Sequence, residues 1–155
     1  MSTPDSKTFT VRAVRAHEAA AIASIDPIAV HGSLSRRAAV ARWCREGLAL
    51  VAEDASGLLG YGVREYTFFD QGFITMLMVA PRARGRGVGR SLLDAMANSC
   101  ATPKLFTSVN ASNQPMRRLL LSAGWHAVGL LHGLDEGDPE VFYLRPALDG
   151  SAPLL

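Results

Sequence analysis

Between residues 82 and 90 the chain sets four arginines, Arg82, Arg84, Arg86 and Arg90, around three glycines at alternate positions, Gly85, Gly87 and Gly89. Guanidinium groups pair with anionic oxygens, and glycine lets a backbone approach a ligand with no Cβ in the way. Before this stretch, Phe73-Ile-Thr-Met-Leu-Met-Val79 reads as a strand. After it, Gly89 to Ala101 reads as a helix with Leu92, Leu93 and Met96 on one face. Strand, glycine-rich turn and helix is a layout in which free backbone N–H groups and the positive end of a helix meet an anion. The ligand these residues suit is a phosphate or pyrophosphate. A plain strand-to-helix turn would need neither the alternation of glycines nor the arginines.

Two common nucleotide loops do not match. A Walker loop needs Gly-x-x-x-x-Gly-Lys and then Ser or Thr, and Gly85 to Arg90 offers no lysine and no such hydroxyl. A dinucleotide loop needs Gly-x-Gly-x-x-Gly and an acid about 20 residues on, where this chain has Lys104 and Phe106. What does match is Arg-x-x-Gly-x-Gly, at Arg84, Gly87 and Gly89, after a strand ending Val79-Ala-Pro81. A second block follows at Asn113-Gln-Pro-Met-Arg-Arg-Leu-Leu-Leu-Ser-Ala-Gly124-Trp125, preceded by the strand-like Leu105-Phe-Thr-Ser-Val-Asn110. The two blocks, in this order and at this spacing, resemble the GNAT superfamily of N-acetyltransferases.

That resemblance implies an α/β fold of mixed type, a twisted sheet of six or seven strands with about four helices, whose central parallel strands splay around acyl-CoA. It implies one domain over residues 8–148, with short loose tails on either side. The cosubstrate it implies is acetyl-CoA and the partner an amine acceptor, to which the acetyl group passes directly. Transferred onto this chain, the cofactor-binding residues are Leu77, Met78 and Val79 on the strand, Arg84, Gly85, Arg86, Gly87, Val88, Gly89 and Arg90 on the turn, and Asn110 and Asn113 beyond it. Backbone amides at 84–90 would hold the pyrophosphate, the strand edge would pair with the pantetheine amides, and an N–H near Leu77 to Val79 would face the thioester oxygen. Asn113 equally suits a helix N-cap, with Pro115 just inside the helix start. Family members are often dimers, so a homodimer is among the forms the resemblance implies.

The catalytic groups are less plainly written. Many relatives carry a tyrosine seven residues after the block asparagine, where it protonates the departing thiolate. Here that residue is Leu120, with Ser122 a poor substitute. This departure keeps a catalytically silent acyl-CoA-binding module open as a second reading. Glu65, on the strand before the one that feeds the turn, is the candidate base, and otherwise a solvated strand charge. His126 has a suitable titration range but reads better as a structural histidine. Four acids crowd into Asp135-Glu-Gly-Asp-Pro-Glu140. With Phe68 and Phe69 they could frame a site for a cationic amine, or form a solvated turn.

The elements that must position these residues follow from alternation and punctuation. Strands are expected at Phe9 to Val14, Leu48 to Glu53, Leu58 to Phe69, Phe73 to Val79, Leu105 to Asn110, Trp125 to Leu131 and Val141 to Arg145. Helices are expected over His17 to Ile25, broken by Asp26-Pro27, from Ser33 or Ser35 to about Arg45, from Gly89 to Ala101, and after Asn113. Asp70-Gln-Gly72 is expected to turn between two strands. The 155 residues, 48% apolar, suffice for a substantial core, and a net charge of +2 gives no global call for nucleic acid. No apolar run approaches the roughly 20 residues of a membrane span, and Met1 to Lys7 lacks a secretory core. Cys44 and Cys100, both placed in helices, read as reduced packing residues, and no Cys/His set has metal-ligand spacing. A cytoplasmic location is expected, with no membrane or nucleic-acid partner.

Overall fold

Alternation along the chain yields all seven expected strands, with bounds moved by no more than two residues. The computed structural model describes residues 8–147; the segment Met1 to Lys7 and most of the expected loose tail lie outside them. In order, the elements are β1 (Thr10–Ala13), α1 (Ala19–Ile25), α2 (Pro27–Val30), α3 (Leu34–Arg45), β2 (Ala49–Asp54), β3 (Gly57–Phe68), β4 (Gln71–Val79), α4 (Val88–Asn98), β5 (Leu105–Asn110), α5 (Gln114–Ser122), β6 (His126–Leu131) and β7 (Glu140–Leu144). The strands form one open mixed sheet in the order β1-β2-β3-β4-β5-β7-β6.

The residues gather into two compact units. The first comprises the chain up to Arg64 with Met76–Asn98, the second Glu65–Thr75 with the chain from Ser99 onward. In the first, β1, β2 and β3 are antiparallel neighbours. Ile22, Val40, Trp43 and Cys44 from α1 and α3 pack on Val51, Tyr61 and Val63. A second cluster sets Val88 and Leu92 of α4 against Ala52, Leu59 and Ala80. In the second unit β4 pairs in parallel with β5 at Gly72↔Leu105, Phe73↔Phe106 and Ile74↔Thr107, and β7 lies antiparallel between β5 and β6.

Three local expectations need correction. Asp26-Pro27 does end α1, but it also starts a helix, α2. Asp26 accepts from the N–H of Ile28 (3.0 Å) and of Ala29 (3.5 Å), and Pro27 takes the first helical position, where its missing N–H costs nothing. The helix after the glycines stops at Asn98, so Cys100 lies beyond it, its Sγ 3.4 Å from Thr102 Oγ1. The turn between β3 and β4 is Phe69-Asp70, both with positive φ (51° and 60°), while Gln71 and Gly72 already belong to β4. Of the two serine caps offered for α3, Ser33 is used, accepting from the Arg36 N–H at 3.2 Å.

Asp26 does more than cap. Its carboxylate is fully buried and accepts from Tyr61 Oη at 2.6 Å and Arg36 Nη1 at 2.8 Å. Burial alone pushes this carboxyl up, but the bonds from Tyr61 and Arg36 and the Arg36 charge outweigh it and hold it below its ordinary range. Burial, then the bond to Asp26, pushes the Tyr61 phenol well up. One carboxylate thus ties α2, α3 and β3 together. Removing one partner of a buried charge pair typically costs about 3–5 kcal/mol, and a single buried hydrogen bond about 1 kcal/mol. Asp26→Asn should therefore destabilise the chain several-fold more than Tyr61→Phe in urea unfolding. Because the folded-state pKa of Asp26 is depressed, its contribution is present above the ordinary carboxyl range and lost as pH falls through the folded value. The acid limb of the stability–pH curve should flatten in Asp26→Asn, and an unchanged limb would contradict this assignment.

Candidate active site

The glycine turn is built in the first unit. β4 is held to its end, where the Ala80 N–H donates to the Leu59 carbonyl at 2.8 Å. Pro81–Ala83 makes one 3-10 turn, Arg84 is extended, and the chain then reverses through Gly85 (φ 79°) and Gly87 (φ 83°) into α4. A Cβ added at either glycine would meet no atom within 4 Å. The glycines are therefore required by backbone conformation, and the space over them is open. The first-turn N–H groups of α4, starting at Val88 and Gly89, have no intrahelical acceptor and sit at the positive end of the helix.

The arginines divide differently from what their crowding suggests. Arg82 donates to Ser56 Oγ (2.7 Å) and the Leu58 carbonyl (2.8 Å). Arg86 pairs with Asp54 at 3.0 Å, and its guanidinium lies 6.0 Å from the centre of the Phe9 ring. Ser56 and Arg86 together pull the Asp54 carboxyl down to about 2. Arg90 pairs with Asp94 one turn along α4 at 3.0 Å. Arg84 is exposed and makes no side-chain bond or ion pair among the described residues. Backbone amides and Arg84 are thus the donors most available to an anion.

Leu77, Met78 and Val79 are half-buried on β4. A Cβ at Gly60 would lie 2.6 Å from the Met78 carbonyl oxygen and 3.3 Å from Leu92 Cδ1 of α4. A side chain at residue 60 would therefore collide with the Met78 carbonyl, so this position must lack one. No peptide of the described residues is cis.

The remaining candidates lie in the second unit. Asn113 caps α5, its Oδ1 accepting from the Met116 N–H at 3.3 Å. Asn110, at the end of β5, donates from Nδ2 to Asp135 Oδ2 (2.8 Å) and to the Asp138 carbonyl (3.4 Å). Glu65, on β3, accepts from the Thr75 hydroxyl at 2.8 Å. Leu120 is fully buried, one of the core side chains of α5. Ser122 is exposed and donates to the Leu119 carbonyl at 2.8 Å, so its hydroxyl is no stand-in acid. His126 pairs on β6 with Leu144 of β7. The acidic loop is organised: Ser112 donates to Asp138 from its N–H (3.0 Å) and its hydroxyl (2.6 Å).

Sequence reasoning missed the Asp26–Arg36–Tyr61 cluster and the Gly60–Met78 approach. An Asp before Pro signals a cap, but its partners 10 and 35 residues away leave no local trace. Gly60 and Gly62 inside a strand pattern were a usable signal of close backbone approach.

A family model described as the acetyltransferase (GNAT) family matches residues 16–125. The chain belongs to the GNAT acetyltransferase family. Among solved structures, a GNAT-family acetyltransferase from Bacillus cereus is 31% identical, with a TM-score of 0.83 over 91% of this chain and 99% of that one. A Salmonella typhimurium protein solved with its cofactor acetyl-CoA is 22% identical, TM-score 0.72, over 96% and 98%. Diaminobutyrate acetyltransferase from Paenibacillus lautus, in complex with L-2,4-diaminobutyric acid and coenzyme A, is 16% identical, TM-score 0.75, over 96% and 99%. The last two show likeness of fold. Among proteins of curated function, none matches the sequence.

The space around Leu120 is packed, its side chain fully buried. Leu120→Tyr should destabilise the chain by about 1–3 kcal/mol through overpacking, read as a lowered urea midpoint. An unchanged midpoint would mean that the space beside Leu120 is open enough for a phenol.

Proposed function

We propose that this chain transfers the acetyl group of acetyl-CoA to a primary amine, of a small molecule or a protein, by direct attack, with residues 8–148 acting as one N-acetyltransferase domain. The observation that carries the proposal is the open turn at Gly85 and Gly87, leading into the first-turn N–H groups of α4 beside the unpaired Arg84. Such a cradle suits a pyrophosphate, whose charge it meets with backbone dipoles rather than with the arginines already engaged. Acetyl-CoA, when bound, supplies an activated acyl carbon. The backbone of Leu77, Met78 and Val79 is our candidate partner for its amide arm, and a backbone N–H within Leu77 to Val79 the candidate donor to the carbonyl oxygen as charge builds there. Asn113 keeps its Nδ2 and Asn110 its Oδ1 for further contacts with that arm.

In the reaction the amine nitrogen bonds to the acyl carbon, the C–S bond breaks, and the nitrogen gives up a proton. Glu65 is the proposed acceptor of that proton, directly or through water, with the Thr75 hydroxyl orienting its carboxylate. The sulfur leaves as thiolate or takes a proton from solvent. The buried Leu120 favours one second reading, an acyl-CoA-binding module without turnover. Cys44 and Cys100 form no disulfide with each other, which fits a reducing cytoplasmic setting.

Titration calorimetry should show acetyl-CoA and CoA binding to the chain, and Gly87→Val should weaken both by at least about 100-fold with the fold retained, since a β-branched residue is strained at this φ. Undiminished affinity in Gly87→Val would remove the turn from the site. Thiol release in an amine screen separates the two readings, because the silent module binds without producing CoA. Glu65→Gln should lower kcat by about 100-fold with acetyl-CoA affinity unchanged. An unaltered rate across pH would exclude Glu65 as the base.

A further inference from the structure

Five of the chain's six phenylalanines gather in the second unit. The Phe68 ring lies 5.0 Å from Phe69, 4.8 Å from Phe73, 5.3 Å from Phe106 and 6.0 Å from Phe142, and Phe73 lies 6.3 Å from Phe142. Strand register explains why they meet. Residues directly opposite on neighbouring strands share a face, and the pairs Phe73↔Phe106, Phe106↔Leu144, Ser108↔Phe142 and Asn110↔Glu140 put these side chains on one face. The intervening residues Thr107, Val109, Val141 and Tyr143 are buried on the other face, where Arg117 of α5 donates to Tyr143 Oη at 3.0 Å. α5 is the one helix of this unit among the described residues, so no helix of the unit covers the phenylalanine face. Phe68, Phe73, Phe106 and Phe142 are half-buried, and Phe69 is 85% exposed.

The carboxylates gather at one end of this face, and His126 registers at the other, opposite Leu144. Glu140 registers on it beside Asn110, whose amide holds the Asp135 carboxylate at 2.8 Å. Thr75, two residues beyond Phe73 on β4, holds the Glu65 carboxylate at 2.8 Å. Among the described residues, no lysine or arginine registers on the face. An aromatic floor bounded by carboxylates is complementary to a cation on an apolar body. The distance sets the body's length. Phe142 and Glu140 are two residues apart on β7, about 7 Å at the rise of a strand, the reach of an ammonium two or three methylenes from a ring.

We propose that this face binds the acceptor, and that the acceptor is a small primary amine with an aromatic or bulky apolar group two or three carbons from nitrogen. The ring lies on Phe73, Phe106 and Phe142, Phe69 closes over its edge, and the ammonium faces Glu140 and the Asp135 carboxylate. The inference rests on the acetyl-transfer reading for its biological meaning, but not for its geometry.

The test is direct binding of 2-phenylethylamine to the full chain, against n-propylamine and phenylacetate, by calorimetry or NMR titration. 2-Phenylethylamine should bind at least 10-fold more tightly than either comparator, and Phe142→Ala should abolish the advantage. Should Phe142→Ala fail to fold, Phe69→Asn decides. Asparagine suits the positive φ of the turn better than phenylalanine, so its melting temperature should hold or rise while 2-phenylethylamine binding falls several-fold. A merely structural role for Phe69 would leave binding where it was. Equal binding of n-propylamine or phenylacetate overturns the proposal. So does a dimer by sedimentation that Phe69→Asn dissociates, since a second copy would then occupy the face. Acetyl-CoA titration runs in parallel: its failure with amine binding intact removes the acetyl-transfer reading alone, and amine failure with acetyl-CoA binding intact removes this inference alone.

Discussion

The end of β4, from which the glycine turn departs, depends on a contact between two backbones, the Met78 carbonyl over Gly60. At 2.6 Å from where a Cβ would stand, no residue but glycine is tolerated. Gly60 lets the two backbones meet there, and Leu92 of α4 packs over the same spot. Two residues beyond Met78, Ala80 pairs with Leu59, which holds the strand end from which the glycine turn departs.

A second constraint is electrostatic. Arginine-rich loops invite the inference that every guanidinium awaits an anion. In this chain Arg82, Arg86 and Arg90 have acceptors or carboxylates of their own. They fix the turn to the β2–β3 hairpin and to the first turns of α4. What the turn offers an anion is then a set of amides already in place, which would need no reorganisation as a ligand arrives. Exposed pairs such as Arg90–Asp94 contribute little to stability, so Arg90 can exchange its partner at small cost.

Most of the architecture was legible because it is periodic. Seven strands and four helices follow from alternation, caps and glycines, and the spacing of two blocks carried the family. What escaped is non-local. α2 is four residues long and hides in what reads as a helix break, because Asp-Pro both stops one helix and starts another. The buried carboxylate of Asp26 is invisible because its partners come from α3 and β3. The pairing of Arg86 with Asp54 spans 32 residues. Asn113 offered a cap and a ligand contact at once. The cap is visible in its bond to Met116, and its amide nitrogen keeps the other role open.

The distribution of aromatic rings argues that the second unit's face is built for contact. Phenylalanine has no polar atom and is the aromatic residue cheapest to bury completely. This chain buries instead two of its three tyrosines and both tryptophans: Tyr61, Tyr143, Trp43 and Trp125 are in the core. Each buried tyrosine has a partner for its hydroxyl, Asp26 for Tyr61 and Arg117 for Tyr143, and those bonds hold helices to strands. Five of the six phenylalanines, with nothing to bond, gather outside the core in one cluster. One of the five, Phe69, sits at a turn where φ is positive, a conformation bulky residues rarely adopt. Leaving apolar area wet forgoes about 25 cal/mol for each Å², a loss that a core-first sequence would avoid by exchanging the two sets. Selection for stability alone does not produce that inversion; selection for a surface that must meet an apolar cation does.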